Sequence, residues 1–469
     1  MRTALNKVVY DQSATRQTVA QLVRPHQWGL HNNKTGASMN DKQHFTSPMA
    51  TAEEIAGEKK VLRVLASEEV QAAKRQARRI MASHPIAESP DGNARIDYAL
   101  DHWLAQLATQ LVGLDLHTPS ILWNATITRF QWFGHEFPGS AAGIDCPDNI
   151  YRTVALNGAT EYEIAGRVDP ARPAQFSFQL TPHPECDGFW ITEDLKDIST
   201  LQMLTDDTVA VEPDGSFRIR LLPEPAQPSG DTITMPEGIN MLTIRDTLSD
   251  WRQVPNRLSI RRTGGEPLPS ESVPDSDVIA RTAAGIGQNI AFWVRFIGNF
   301  HAQSTPNRLI APYGRNGAFG YASAAKFKLL NDEALVITVA TGNAHYMGMQ
   351  VTDLWGIAPS PIEYLSSYNE TQMVKNPDGT VTVVIAREDP GFGNWVDTAG
   401  WREGWMFFRW QGEGDDLDTG SLILDQQIVA KADLSTVLAN RLPPVDTGER
   451  ATELARRRDE WRLRIAAGG

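Results

Sequence analysis

Cysteine is almost missing from this chain. Its 469 residues hold two, Cys146 and Cys186. They lack the close spacing of a zinc site, and two are too few for a disulfide framework. A reducing compartment fits that usage, and a single buried pair stays open. Long apolar runs are missing too. No stretch of about 18 uncharged apolar residues occurs, which argues against a membrane-spanning helix. Basic charge is in deficit: 44 Lys and Arg against 57 Asp and Glu leave a net charge of −13. That charge repels phosphate backbones and argues against nucleic acid as a partner. No charged start followed by an apolar core opens the chain, so a secretory signal is not expected and a cytoplasmic location is. The first 25 residues carry Arg2, Lys7, Arg16 and Arg24 against Asp11. A frayed tail and an organellar targeting segment both fit them.

Several catalytic signatures are absent as well. There is no Gly-x-Ser-x-Gly elbow, no phosphate-cradling Gly-Lys-Ser loop and no Gly-x-Gly-x-x-Gly fingerprint. Gly285-Ile286-Gly287 lacks the third glycine and lies in a helix-like stretch. Serine hydrolases of the α/β class, P-loop enzymes and Rossmann dehydrogenases are therefore disfavoured. His102, His117 and His135 show no compact ligand spacing, so no metal site is expected.

What the chain does have is an α-then-β pattern, with 41% apolar residues to build a sizeable core. Residues 1–50 read as a flexible tail and 51–144 as a helical region. Ser67 is a plausible N-cap, with Glu68 and Glu69 in the first turn and basic residues toward the end. A second amphipathic helix runs from about Asp97 to Leu111. Trp123, Phe130, Trp132 and Phe133 form an aromatic patch that fits either a pocket wall or a staple between helices and a sheet. Residues 145–265 read as a first β section. Asn157-Gly158 signals a hairpin between the strands at Tyr151 and Tyr162, and Pro213-Asp214-Gly215 signals another between Val209 and Phe217. A linker and bridging helix occupy 266–308, with the helix from about Ser276 to Phe300. A second β section spans 309–435, with Asn376-Pro377-Asp378-Gly379 as a strong turn. A charged helix closes the chain within 436–469. The fold class is mainly β (α+β): two antiparallel jelly-roll or sandwich-like sections, which fit distant structural copies.

Four segments carry a family resemblance: LNDEALVITV (330–339), AHYMGMQVTDLW (344–355), SSYNETQ (366–372) and REDPGFGNWVDTAGWREGWMFFRW (387–410). In this order they resemble the C-terminal part of the domain-of-unknown-function 1214 family. Residues 148–167 and 243–262 look similar to its opening strands and mid-chain hairpin. The resemblance implies a bacterial protein encoded beside genes that degrade steroids, terpenoids or aromatics. One departure stands out. Trp401 occupies the place where the family's loop carries a histidine.

Within these segments, the glycine-punctuated loop from Asp389 to Arg402 collects the most reactive side chains. Asp389 and Asp397 suit acid–base work if one is desolvated, and Arg402 suits an oxyanion. His345 is the candidate base on the neighbouring strand. Tyr346, Gln350, Trp355, Asn369, Gln372, Asn394 and Trp395 are the candidate substrate contacts. Each also has a structural reading, as a turn cap, core group or ion-pair partner. The expectation is an enzyme that needs no cofactor and acts by elimination, hydration, isomerisation or hydrolysis. Its substrate would be a hydroxylated, mainly apolar small molecule. A non-catalytic glycan- or metabolite-binding protein and a metal-dependent lyase stand as alternatives, and a homo-oligomer stays open.

Overall fold

The structure, a computed structural model, describes residues 46–182, 200–227, 230–264, 272–301, 305–315, 320–412 and 418–465. Cys186 and the tail to residue 45 lie outside these. The first part is helical: α1 (Ala52–Ala66), α2 (Glu68–Ala82), the short α3 (Pro90–Ala94) and α4 (Ile96–Val112). Ser67 does cap α2, accepting from the Val70 amide. Nearly all of α4 is buried, including polar His102, Gln106 and Gln110. It is therefore a central helix and not an amphipathic surface one.

Eleven strands follow among the described residues: β1 (Leu122–Asn124), β2 (Phe130–Trp132), β3 (His135–Phe137), β4 (Asn149–Asn157), β5 (Tyr162–Arg167), β6 (Gln175–Pro182), β7 (Gln202–Thr205), β8 (Ser216–Pro223), β9 (Thr232–Met235), β10 (Ile239–Thr247) and β11 (Arg257–Arg262). They form a five-stranded sheet, β1-β4-β10-β6-β7, and a four-stranded one, β11-β5-β8-β9. The β2–β3 hairpin stands apart. Val154, Leu156, Phe176, Phe178, Leu242 and Ile244 from one sheet meet Tyr162, Ile164, Phe217 and Ile219 from the other in a single core.

After α5 (Asp275–His301) come β12 (Tyr313–Gly314), β13 (Tyr321–Lys328), β14 (Glu333–Val339), β15 (Tyr346–Thr352), β16 (Ser367–Asn369), β17 (Val381–Ala386), β18 (Trp395–Asp397), β19 (Glu403–Gln411) and β20 (Ile423–Ala430). Two more helices, α6 (Leu434–Val437) and α7 (Thr447–Arg462), close the described chain. The sheets are β12-β13-β19-β15-β16 and β18-β17-β14-β20. Both sandwiches thus share one wiring. β1, β4, β10, β6 and β7 answer to β12, β13, β19, β15 and β16, and β11, β5, β8 and β9 answer to β20, β14, β17 and β18. Even the parallel pairs correspond, β8 with β9 and β17 with β18. The two β sections are topological copies.

The structure corrects three expectations. Asn157-Gly158 does not close a two-residue hairpin: β4 and β5 belong to different sheets. Both strands carry inward apolar residues, so they face each other across the core and do not pair edge to edge. Before Pro213-Asp214-Gly215 there is no strand; Val209 and Val211 sit in irregular chain, and only β8 forms. The boundary at 144 also fails, because β1 at 122–124 already pairs with β4.

On each five-stranded sheet alternate side chains point away from the sandwich core. Those outer faces and the helices share a third core. It holds Trp103, Leu104 and Leu107 of α4, Ile290 and Trp293 of α5, Met241 of β10, and Trp405 and Phe407 of β19. The aromatic patch joins it: Trp123, Phe130 and Trp132 pack ring on ring, while Phe133 stays exposed. The bridging helix α5 packs within the helical layer, against α1, α2 and α4.

Candidate functional site

Arg245 and Arg409 decide where the site lies. They occupy equivalent places on the equivalent strands β10 and β19. In each copy the residue two before the arginine, Thr243 or Phe407, stands opposite a glutamine, Gln179 of β6 or Gln350 of β15. In each copy the arginine Nη1 donates to that glutamine's Oε1, at 2.6 Å for Arg245–Gln179 and 2.8 Å for Arg409–Gln350. Two residues beyond each arginine the copies touch, where Thr247 donates to Gln411 Oε1 at 3.1 Å. Both arginines therefore point to one seam between the sandwiches.

A cavity of about 300 Å³ opens there. Arg245, Arg315 and Arg409 line it, with Asp145, Tyr151 and Thr243 and the aromatic residues Phe292, Trp293 and Phe296 of α5. Three guanidiniums face one carboxylate among the described lining residues. Burial lowers Arg245 to about 10, still well above neutral pH, and also lowers Arg315.

The loop carrying Asp145 is held from several sides. His102 of α4 accepts the Ala141 amide on Nδ1 at 3.2 Å. Burial drives this imidazole down to about 3, so it is neutral and able to accept. Gly139 lies against that ring, where a β-carbon would collide. Ile144 has φ of 65°, a strained value for a β-branched residue. Its amide donates to Gly356 O at 3.1 Å, and its carbonyl accepts from Arg409 Nη2 at 2.7 Å. Gln350 Nε2 donates to the Asp145 carbonyl at 2.9 Å. The second copy thus fixes the backbone that presents the acid. Burial raises the Asp145 carboxyl, opposed by the Ala142 and Gly143 amides and by Arg245 and Arg409.

Tyr151 has its own arrangement. Its hydroxyl oxygen accepts from the Cys146 amide and from Asn149 Nδ2, both at 3.0 Å. Two donors on the oxygen leave its proton directed elsewhere. Burial lifts this phenol to about 12, so it keeps that proton at neutral pH.

The sequence-derived candidates fall elsewhere or beside this cavity. His345 is exposed and lies against the Gly412 turn. Asp389 caps its own turn through the Gly391 amide and pairs with Arg450 of α7 at 2.9 Å. Asp397 accepts the Ala399 amide at 2.8 Å, and burial raises it to about 6. Arg402 is exposed and uses its amide on Asp91; the described residues show no hydrogen bond or ion pair between Asp397 and Arg402. Asn394 ties Val374 to Thr382, and Trp395 donates to Ala386 O beneath Arg450. The loop braces a corner. Trp355 is core, donating to Gly92 O beside Trp103. Tyr346 and Asn369 both donate to buried Asp148, at 2.7 and 3.1 Å. Gln372 accepts from the Asn369 amide and from Arg457. Of the expected contacts, Gln350 alone reaches the seam arginines.

Sequence reasoning missed Arg245, Arg409, Asp145 and Tyr151. One signal was present: an arginine inside an otherwise apolar strand, in Thr243-Ile244-Arg245 and Phe407-Phe408-Arg409.

No protein-family model matches the chain, and no curated protein does. Among solved structures it is similar to an uncharacterized protein from Burkholderia cenocepacia, at 21% identity and a TM-score of 0.62, over 80% of this chain and 100% of that one. That likeness establishes the fold alone. The VPA0106 protein from Vibrio parahaemolyticus is more distant, at 12% identity and a TM-score of 0.37, over 61% of this chain and 90% of that one.

Proposed function

We propose that this chain, as a member of the domain-of-unknown-function 1214 family, binds a small anionic molecule with an apolar face in the seam cavity. One observation carries the reading: the equivalent arginines of both copies, each held by its glutamine, line a single cavity with one carboxylate among the described residues. A guanidinium held by a neutral glutamine, as Arg409 is by Gln350, stays charged and suits a ligand carboxylate or similar anion. The aromatic residues of α5 supply an apolar wall. Titration calorimetry with small carboxylates and their matched amides tests this. The acids should bind at least about tenfold tighter than the amides, and R409Q should remove that margin. Equal binding of acid and amide would overturn the reading.

A second reading has its own support, the unspent proton of Tyr151 beside a desolvated Asp145. In it the cavity turns its ligand over by acid–base chemistry, with Tyr151 donating and Asp145 accepting a proton. Elimination, hydration or isomerisation of a hydroxylated acid fits such a pair. Product detected by mass spectrometry and lost in Y151F supports turnover; binding without product leaves a binding protein.

A further inference from the structure

The cavity carries more than its charges. Along the floor, the row next to the seam is Tyr151–Arg245–Ser177, across β4, β10 and β6. The next row is Thr153–Thr243–Gln179, neutral and polar. In the other copy the matching row is Ala324–Phe407–Gln350, of which Ala324 and Phe407 belong to the shared core. One copy thus offers hydroxyl groups where its counterpart offers hydrocarbon.

The opposite wall makes a demand of its own. Gln106 and Gln110 lie one turn apart on α4 and both line the cavity. They are 5% and 3% exposed, and neither side-chain carbonyl oxygen has a hydrogen-bond partner among the described residues. A buried acceptor with no donor is costly, and native proteins seldom keep one without a reason. Two of them facing one cavity call for a ligand that brings donors. Phe292 and Trp293 stand beside them, with ring centroids 5.0 Å apart.

We propose that the ligand is a small polyhydroxy acid of the hexuronate type. The proposal rests on the anion-binding reading. The carboxylate lies between Arg245 and Arg409. Hydroxyl groups donate to Gln106 and Gln110 and exchange hydrogen bonds with Thr153 and Thr243. The carbon–hydrogen face of the ring packs on Phe292 and Trp293. A volume of about 300 Å³ accommodates one such ring.

Calorimetry on the full-length protein tests it with three probe sets: hexuronates (glucuronate, galacturonate, mannuronate), cyclohexanecarboxylate, and the matching neutral hexoses. At least one hexuronate should bind about tenfold or more tighter than cyclohexanecarboxylate and than its hexose. Q110L should reduce hexuronate affinity by more than it reduces cyclohexanecarboxylate affinity, with the fold checked by circular dichroism. Cyclohexanecarboxylate binding as tightly as every hexuronate would overturn the hydroxyl assignment and leave the anion reading intact. A hexose matching its hexuronate would instead overturn the anion reading. No binding by either class of acid would end both.

Discussion

The two sandwiches share their strand order and differ in what they do with the outer face of the larger sheet. In the second copy that face is packed: Trp405 and Phe407 enter the core shared with the helices. In the first, Thr153 and Thr243 stand where the second has Ala324 and Phe407, and they border a cavity; Met241, at the place of Trp405, is core in both. The sandwich interiors diverge as well. Asp246 and Arg152 form a fully buried ion pair, completed by Asn256. Their counterparts, Trp410 and Ser323, carry no charge. Fold and chemistry are therefore separable here. The wiring tolerates hydrocarbon or polar groups at the same place: both copies carry the arginine–glutamine pair, and the first alone adds threonines beside it.

That contrast can be broken by substitution. The largest effect should come from F407A, which empties a packed position and should cost about 3–5 kcal/mol in urea unfolding. T243A, the matching change at the cavity, should cost less than about 1 kcal/mol. Equal losses would mean that the two faces are packed alike. D246N should cost a similar 3–5 kcal/mol, because it strands a buried guanidinium. A loss under about 1 kcal/mol would show the pair to be dispensable.

The smallest effect concerns the corner loop of the second copy. Burial holds Asp397 at about 6 when folded, above its unfolded value near 3.9. The protonated form therefore favours folding. That contribution is complete below about pH 4 and is lost as the pH rises through 6. Asparagine can still accept the Ala399 amide and does not ionise. D397N should thus match the wild type near pH 4 and exceed its stability by about 1–2 kcal/mol at pH 7.5, allowing for partial solvent screening. A constant difference across that range would exclude an ionising Asp397.

Local features were legible in the sequence. Ser67 as a cap, Asn376 to Gly379 as a turn, and the spans of α4, α5 and most strands follow from short-range chemistry. Pairing was not legible, because Asn157-Gly158 describes a turn and says nothing about which sheet receives the next strand. The site was less legible still. Glycine, aspartate and asparagine crowd the segment 389–402 because a tight corner needs them to satisfy backbone amides, and the same composition suits catalysis. The cavity instead draws on β10, β19, the 139–145 loop and two helices. No single segment holds enough of it to stand out. Arg245 and Arg409 did lie inside segments that resemble the family, as charges within apolar strands.

Gln350 has a consequence for the independence of the two halves. It belongs to one sandwich, yet it grips the backbone that presents the other side's acid, while Arg409 beside it holds the preceding carbonyl. Neither half alone contains this clasp, so the acid keeps its backing only while the two sandwiches stay joined at the seam.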